Sequence, residues 1–159
     1  MSLRTRGAVA CSLVLLTVGC SDSPPEIHAP ELSAADAQAC RDFVADLPDT
    51  LAGQESVEVT GDTEYGAAWG DPAIVLRCGV ALPKDYAGAP CITRNGIGWS
   101  IPLEQADELG VDVVMTLAFR TPVVQLRVPA AYRPESPADV MADLDPAVRA
   151  HTTAHGKCT

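Results

Sequence analysis

The residue with the clearest chemistry in this sequence is Cys20, which ends a short apolar run. Arg4 and Arg6 precede that run, and the small residue Gly19 stands directly before the cysteine. A basic start, an apolar segment of this length and a small residue at its end are typical of an export signal. We expect residues 1–19 to be removed and Cys20 to accept acyl chains. An ordinary secretory signal cleaved elsewhere is the alternative.

Arginine side chains are the second group of candidate functional residues, because they can bind anionic groups. Arg77 and Arg127 each alternate with apolar neighbours along a predicted strand, so both are expected to project from one face of a sheet. Arginine binds carboxylate and phosphate groups bidentately. The alternative is a surface network with acidic side chains, which a chain this acidic favours. If a ligand or partner binds, the sequence selects Trp69, Asp71, Arg77, Trp99, Arg120 and Arg127.

Catalytic patterns are absent from the sequence. It contains no Gly-x-Ser-x-Gly, no Gly-rich phosphate loop, no His-Glu-x-x-His and no calcium loop. His151 and His155 have the spacing of metal ligands on a helix and precede Cys158, but Thr152, Thr153 and Gly156 are poor helix formers. We therefore predict no catalytic residue, no metal and no cofactor.

The remaining cysteines fit an exported domain. Cys40, Cys78, Cys91 and Cys158 are even in number, and disulfides form in oxidising compartments. Four cysteines allow three connectivities. Cys40 lies on the apolar stripe of a predicted helix and Cys78 on the apolar face of a predicted strand, which favours Cys40–Cys78 together with Cys91–Cys158.

The elements that must position these residues are a helix, a run of strands and a second helix. Ser33 is a predicted N-cap, and Asn95-Gly96 predicts a two-residue hairpin turn. Near the C-terminus, Pro137-Ala138 is expected to start one helical segment and Asp145-Pro146 another. The sequence predicts an α+β fold with about five mainly antiparallel strands between the helices, forming a two-layer sandwich stapled by disulfides. An all-β sandwich is the alternative.

Composition limits the domain count and the partners. We expect a signal peptide over residues 1–19, lipidated Cys20 with a flexible tether over residues 20–32, and one globular domain over residues 33–159. The chain has 11 Lys and Arg against 21 Asp and Glu, a formal net charge of −10. This charge argues against nucleic-acid binding, which needs a basic face.

Three stretches carry a resemblance to a known family. They are residues 67–80 (AAWGDPAIVLRCGV), 95–99 (NGIGW) and 120–132 (RTPVVQLRVPAAY). Together they resemble an uncharacterised family of actinobacterial lipoproteins, domain of unknown function 3515, and the similarity spans about residues 34–150. Because this family has no established activity, the resemblance implies an anchored envelope protein and no particular chemistry.

These observations predict a lipid-anchored protein on the outer face of the plasma membrane, held by acylated Cys20. Its expected role is a non-catalytic module that binds an envelope protein or a cell-wall component. The alternative is a small metal- or ligand-binding accessory or enzyme that acts on envelope material.

Overall fold

The computed structural model describes residues 23–28, 30–86, 89–133 and 136–158. The expected signal peptide, residues 1–19, and the expected lipidation site Cys20 lie outside these residues. In chain order the elements are β1 Glu26–Ile27, α1 Ala34–Ala45, β2 Thr50–Leu51, β3 Gln54–Val57, β4 Thr60–Gly61, β5 Gly66–Trp69, β6 Ile74–Cys78, β7 Cys91–Arg94, β8 Ile97–Ser100, α2 Leu103–Ala106, β9 Val113–Leu117, β10 Arg120–Thr121, β11 Val124–Val128, α3 Ser136–His151 and β12 Thr153–Ala154.

The fold is mostly β, and the predicted α+β class with about five strands is wrong. The described residues form 12 strands and three helices, and eight of the strands belong to one antiparallel sheet in the order β2-β3-β5-β6-β11-β9-β8-β7. The missed strands are short or lack β-branched residues; β5, for example, reads Gly-Ala-Ala-Trp. Such segments have low intrinsic β-propensity and become strands through pairing with a strong neighbour.

Helices α1 and α3 cover one face of the eight-stranded sheet. Alternate residues of the central strands point to this face, among them Leu76, Leu126 and Met115, all fully buried. Phe43 from α1 and Leu144 from α3 join them in the main hydrophobic core. The helices therefore leave the opposite face of the sheet, hereafter the second face, to be covered by other segments.

The N-terminal segment covers part of the second face. Strand β1 pairs in parallel with β4 rather than with the main sheet. Ile27, which lies within the segment expected to be a tether, is fully buried in a small cluster with Ala68 and Val75. Residues 25–28 are thus fixed to the domain, and we call them the N-terminal strap.

Several local predictions are confirmed. The Ser33 hydroxyl accepts a hydrogen bond from the Asp36 amide at the start of α1. Strands β7 and β8 form the expected hairpin, in which Asn95 and Gly96 both have positive φ angles of 51° and 79°. These φ values suit a type I′ turn, which explains why the sequence signal was reliable here.

Both disulfides join the cysteines that the sequence paired. Cys40 of α1 is bonded to Cys78 of β6, which ties the helix to the centre of the sheet. Cys91 of β7 is bonded to Cys158, which holds the C-terminal tail against the edge hairpin. In the described part of the chain, no helix is long and apolar enough to cross a membrane.

Candidate functional site

A cleft of about 790 Å³ opens on the second face, between the sheet and the N-terminal strap. Ser23 and Glu26 stand on one side of the cleft, and Arg77 and Arg127 come from the central strands β6 and β11. In the pairing of β6 with β11, Gln125 lies opposite Arg77 and Val75 lies opposite Arg127. The two arginines are therefore two residues apart in the register and project from the same face of the sheet. The predicted common face for Arg77 and Arg127 is therefore confirmed.

Arg77 is the cation of the cleft whose donors are least satisfied. Its Nη2 makes a long hydrogen bond of 3.4 Å to the backbone oxygen of Glu26. Its Nε is buried and has no hydrogen-bond partner among the described residues. Arg77 also forms no ion pair within this part of the chain. A guanidinium with five N–H donors is thus left with capacity to bind an acceptor.

Arg127 is held by a neighbouring carboxylate. Its Nη2 donates a hydrogen bond to one oxygen of Asp112. The other oxygen of Asp112 accepts a hydrogen bond of 2.9 Å from the Ala130 amide. Because Asp112 is fixed by the backbone, it orients Arg127 and offsets its charge. The expected surface pairing therefore holds for Arg127, with Asp112 as its partner.

Carboxylates and apolar side chains complete the lining of the cleft. Asp71, a predicted site residue, is exposed at the rim together with Glu58. Neither carboxylate has a hydrogen bond or an ion pair within the described residues. The apolar part of the lining comes mainly from Pro24, Pro25, Val57, Pro72, Ala73, Val75 and Pro129. The cleft can therefore bind a molecule that has both charged and apolar parts.

The two tryptophans selected from the sequence lie in the main core, outside the cleft. Trp69 is 1 % exposed, and its Nε1 donates a hydrogen bond of 2.9 Å to the Pro48 oxygen. Trp99 is fully buried, and its Nε1 has no partner among the described residues. Both point to the helix-covered face, so neither can contact a molecule in the cleft.

This difference predicts unequal costs for the same substitution. Trp69→Phe removes the hydrogen bond to Pro48, whereas Trp99→Phe removes an N–H group that is already unpaired. We expect Trp69→Phe to lower the free energy of unfolding by about 1 kcal/mol more than Trp99→Phe does. Denaturation in guanidinium chloride measures both variants. An equal or larger cost for Trp99→Phe would show that the indole hydrogen bond contributes nothing.

Arg120 lies away from the cleft, where its side chain links two elements of the fold. Its Nε donates to the Thr152 hydroxyl at 2.6 Å and its Nη2 to the Thr152 oxygen at 2.9 Å. These bonds join β10 to the end of α3, next to the pairing of β10 with β12. Burial lowers the pKa of the Arg120 guanidinium, and the charge of Arg149 acts in the same direction.

Loss of the Arg120 side chain should loosen the C-terminal tail. We expect Arg120→Ala to cost about 1.5–3 kcal/mol, since its hydrogen bonds involve a charged donor in a partly buried place. Hydrogen exchange should speed up at the His155 amide, which donates to the Phe119 oxygen. The exposed Arg94 gives the matched control: Arg94→Ala should change stability by less than about 0.5 kcal/mol. Equal effects would contradict the structural role of Arg120.

The histidines of the tail do not come together. His151 Nε2 lies 2.5 Å from the Asp46 carboxylate, which links α3 to the end of α1. The His155 ring packs edge-on against Phe119, with 6.5 Å between centroids. Across the described ranges, no group of three or more His, Cys, Asp or Glu side chains has an arrangement that could hold a metal ion.

Sequence reasoning missed the residues that complete the cleft. Asp112 is an even number of residues from Val114 and Thr116, which predicts that it lies on the same face of the sheet as they do. Its position beside Arg127, however, depends on the register of β9 against β11. Glu26 was overlooked because the neighbouring prolines indicated a tether. The isolated apolar residue Ile27 was the available sign that this segment packs on the domain.

Comparison with known proteins identifies the family of the chain. Neither the curated proteins nor the solved structures include a match. The profile of a family described as "Protein of unknown function (DUF3515)" matches residues 4–156, which is almost the whole sequence. The chain therefore belongs to this family of unknown function.

Proposed function

We propose that this protein is a lipid-anchored envelope module that binds a partner or ligand in the cleft around Arg77. The observation that carries the proposal is an under-satisfied guanidinium in a cleft of about 790 Å³. The Nε group is covered by the protein, but the two Nη groups of Arg77 make only one long hydrogen bond among the described residues, so their remaining N–H donors can bind an acceptor in the cleft. A ligand carboxylate, phosphate or carbonyl group would supply that acceptor.

The N-terminal sequence supports a place of action at the cell envelope. Acylation of Cys20 would hold the mature protein on the outer face of the plasma membrane, as expected for the actinobacterial lipoproteins that its motifs resemble. The two disulfides support this location, because such bonds persist in oxidising compartments. The partner would then be another envelope protein or a cell-wall component. The acidic surface does not suit nucleic acid.

A non-catalytic role agrees best with the side chains of the cleft. Among the described residues of the lining, the charged members are arginines and carboxylates, and none is a histidine or a cysteine. Its hydroxyl group, from Ser23, has no histidine beside it in the lining to act as a base. Binding therefore accounts for the site with fewer assumptions than turnover.

Photo-crosslinking in host cells tests the proposal. A photoreactive amino acid placed at Ala131, an exposed residue of the cleft lining, should form an adduct with the partner or ligand. The same group at Arg94, which is exposed on the edge strand β7, is the control position. Palmitate labelling of the protein, and its loss in Cys20→Ser, tests the anchor separately.

The expected result is an adduct at Ala131 that decreases at least about tenfold when Arg77→Ala is added, since a hydrogen bond to a charged group contributes about 1.5–3 kcal/mol. Adducts of equal yield at both positions, or an Ala131 adduct that is insensitive to Arg77→Ala, would contradict a binding role for the cleft. Failure to label Cys20 with palmitate would contradict the anchor.

A further inference from the structure

The cleft lies very close in sequence to the proposed lipid anchor. Ser23, which lines the cleft, comes three residues after Cys20. An extended chain advances by at most about 3.3–3.6 Å per residue, so the two positions can be separated by only about 11 Å. The strap downstream cannot extend this reach, because Ile27 is buried and the Thr60 amide donates to the Pro25 oxygen at 2.9 Å.

This short reach places the cleft beside the headgroups of the anchoring bilayer. The polar headgroup region occupies roughly 5–8 Å of each leaflet. With the acyl chains of Cys20 in the hydrocarbon, a cleft entrance about 11 Å away along the chain would stand in or just above that region. Molecules that reach the cleft most often are therefore the lipids of the same membrane.

The charges of the cleft favour a headgroup with both signs. Arg77 has no carboxylate partner within the described residues, while Arg127 is already paired with Asp112. At the rim, Glu58 and Asp71 are exposed and have no cationic partner in that part of the chain. A purely anionic headgroup would suit Arg77 and be repelled by the two carboxylates.

The apolar part of the lining fits the region where a headgroup joins its acyl chains. Pro24, Pro25, Pro72 and Pro129 all line the cleft, and Val75 contributes from its floor. Proline rings present apolar surface without an N–H donor, so this wall offers contact to hydrocarbon. An amphiphile can thus leave its apolar stem on the prolines while its charged group reaches Arg77.

We propose that the cleft binds the headgroup of a zwitterionic lipid from the bilayer in which Cys20 is anchored. The lipid phosphate accepts hydrogen bonds from Arg77, and its ammonium group lies near Glu58 and Asp71. The inference rests on the proposed function, since it requires the anchor at Cys20 and binding in the cleft.

Lipid photo-labelling in nanodiscs tests this inference. The acylated protein is purified from host membranes and incorporated into nanodiscs of phosphatidylglycerol. The nanodiscs carry either a photoreactive phosphatidylethanolamine or a photoreactive phosphatidic acid with the same acyl chains. After illumination, peptide mass spectrometry locates and quantifies the lipid adducts. The variants are Arg77→Ala, the double variant Glu58→Gln with Asp71→Asn, and Arg94→Ala as the charge-matched control outside the cleft.

We expect the phosphatidylethanolamine probe to label cleft peptides more strongly than the phosphatidic acid probe. Arg77→Ala should reduce that labelling at least about tenfold, because 1.4 kcal/mol corresponds to a factor of ten and a charged hydrogen bond contributes at least that much. Arg94→Ala should leave it unchanged. The double carboxylate variant, whose exposed positions do not threaten the fold, should lose the preference for the zwitterionic lipid.

Equal labelling by the two probes, or equal labelling of the Arg77→Ala and Arg94→Ala proteins, would overturn the lipid inference. So would a double carboxylate variant that retains the full preference. Absence of the acyl group on Cys20 would instead contradict the proposed anchor. A well-anchored protein with no lipid adduct in the cleft, but with an Ala131 adduct to another molecule in cells, would leave the proposed function standing and refute this inference alone.

Discussion

Removal of the Cys40–Cys78 disulfide, by Cys40→Ala with Cys78→Ala, is expected to cause the largest loss of stability in this protein. The bond closes a loop with a sequence separation of 38 residues. Loop entropy for a closure of this size contributes about 4 kcal/mol. Both cysteines are also essentially buried, at 0 % and 1 % exposure, so the alanine variant loses packing in the core as well. Such a loss is a large part of the 5–15 kcal/mol typical of a domain.

The second disulfide supplies the comparison for that experiment. Cys91–Cys158 closes a longer loop, with a separation of 67 residues, and loop entropy alone would make its removal more costly by about 0.5 kcal/mol. Its cysteines, however, are only half-buried at the edge of the sheet. We therefore expect the Cys40–Cys78 variant to be the less stable one in guanidinium denaturation. The opposite order would show that burial at Cys40 and Cys78 adds little.

Truncation of Ile27 should release the N-terminal strap and alter the cleft. Ile→Ala at a fully buried position costs about 2–5 kcal/mol. Because the Ile27 cluster contains few other buried residues, Ala68 and Val75, the strap is expected to detach before the domain unfolds. Hydrogen exchange reports this directly. The Thr60 and Asp62 amides, which donate to the Pro25 and Ile27 oxygens, should lose protection.

The control for this prediction is Ile92→Ala on the edge strand β7. Ile92 is 40 % exposed, so the same chemical change should cost much less and leave the Thr60 and Asp62 amides protected. Loss of protection across the whole sheet in Ile27→Ala would mean that the strap and the domain unfold together. Unchanged protection at Thr60 and Asp62 would mean that Ile27 does not hold the strap.

Local patterns with a strong steric cause were predictable from the sequence. Asn95-Gly96 specified its hairpin because both residues tolerate positive φ angles. Alternation along β6 and β11 placed Arg77 and Arg127 on one face, since side chains of a strand alternate strictly. The disulfide pairing followed from the apolar faces that carry Cys40 and Cys78.

Features that depend on pairing between distant segments were not predictable. Strand β5 has no β-branched residue and exists through its register with β6 and β3. Trp69 and Trp99 were selected as ligand or partner residues because the sequence does not tell which face of a strand the helices cover. The partner of Arg120, Thr152, lies 32 residues away and is brought near by the turn of the chain after α3. The proline-rich composition of the strap indicated a flexible tether. Burial of one apolar side chain, Ile27, instead fixes the strap to the domain.

Native mass spectrometry of the protein from its own host membranes tests the central claim most directly, namely that the cleft around Arg77 is a binding site in an anchored protein. The account predicts a mature chain that begins at acylated Cys20 and carries an additional non-covalent mass. That mass should be retained in Arg94→Ala and lost in Arg77→Ala. Spectra without any bound mass, or with the same bound mass in all three proteins, would contradict it.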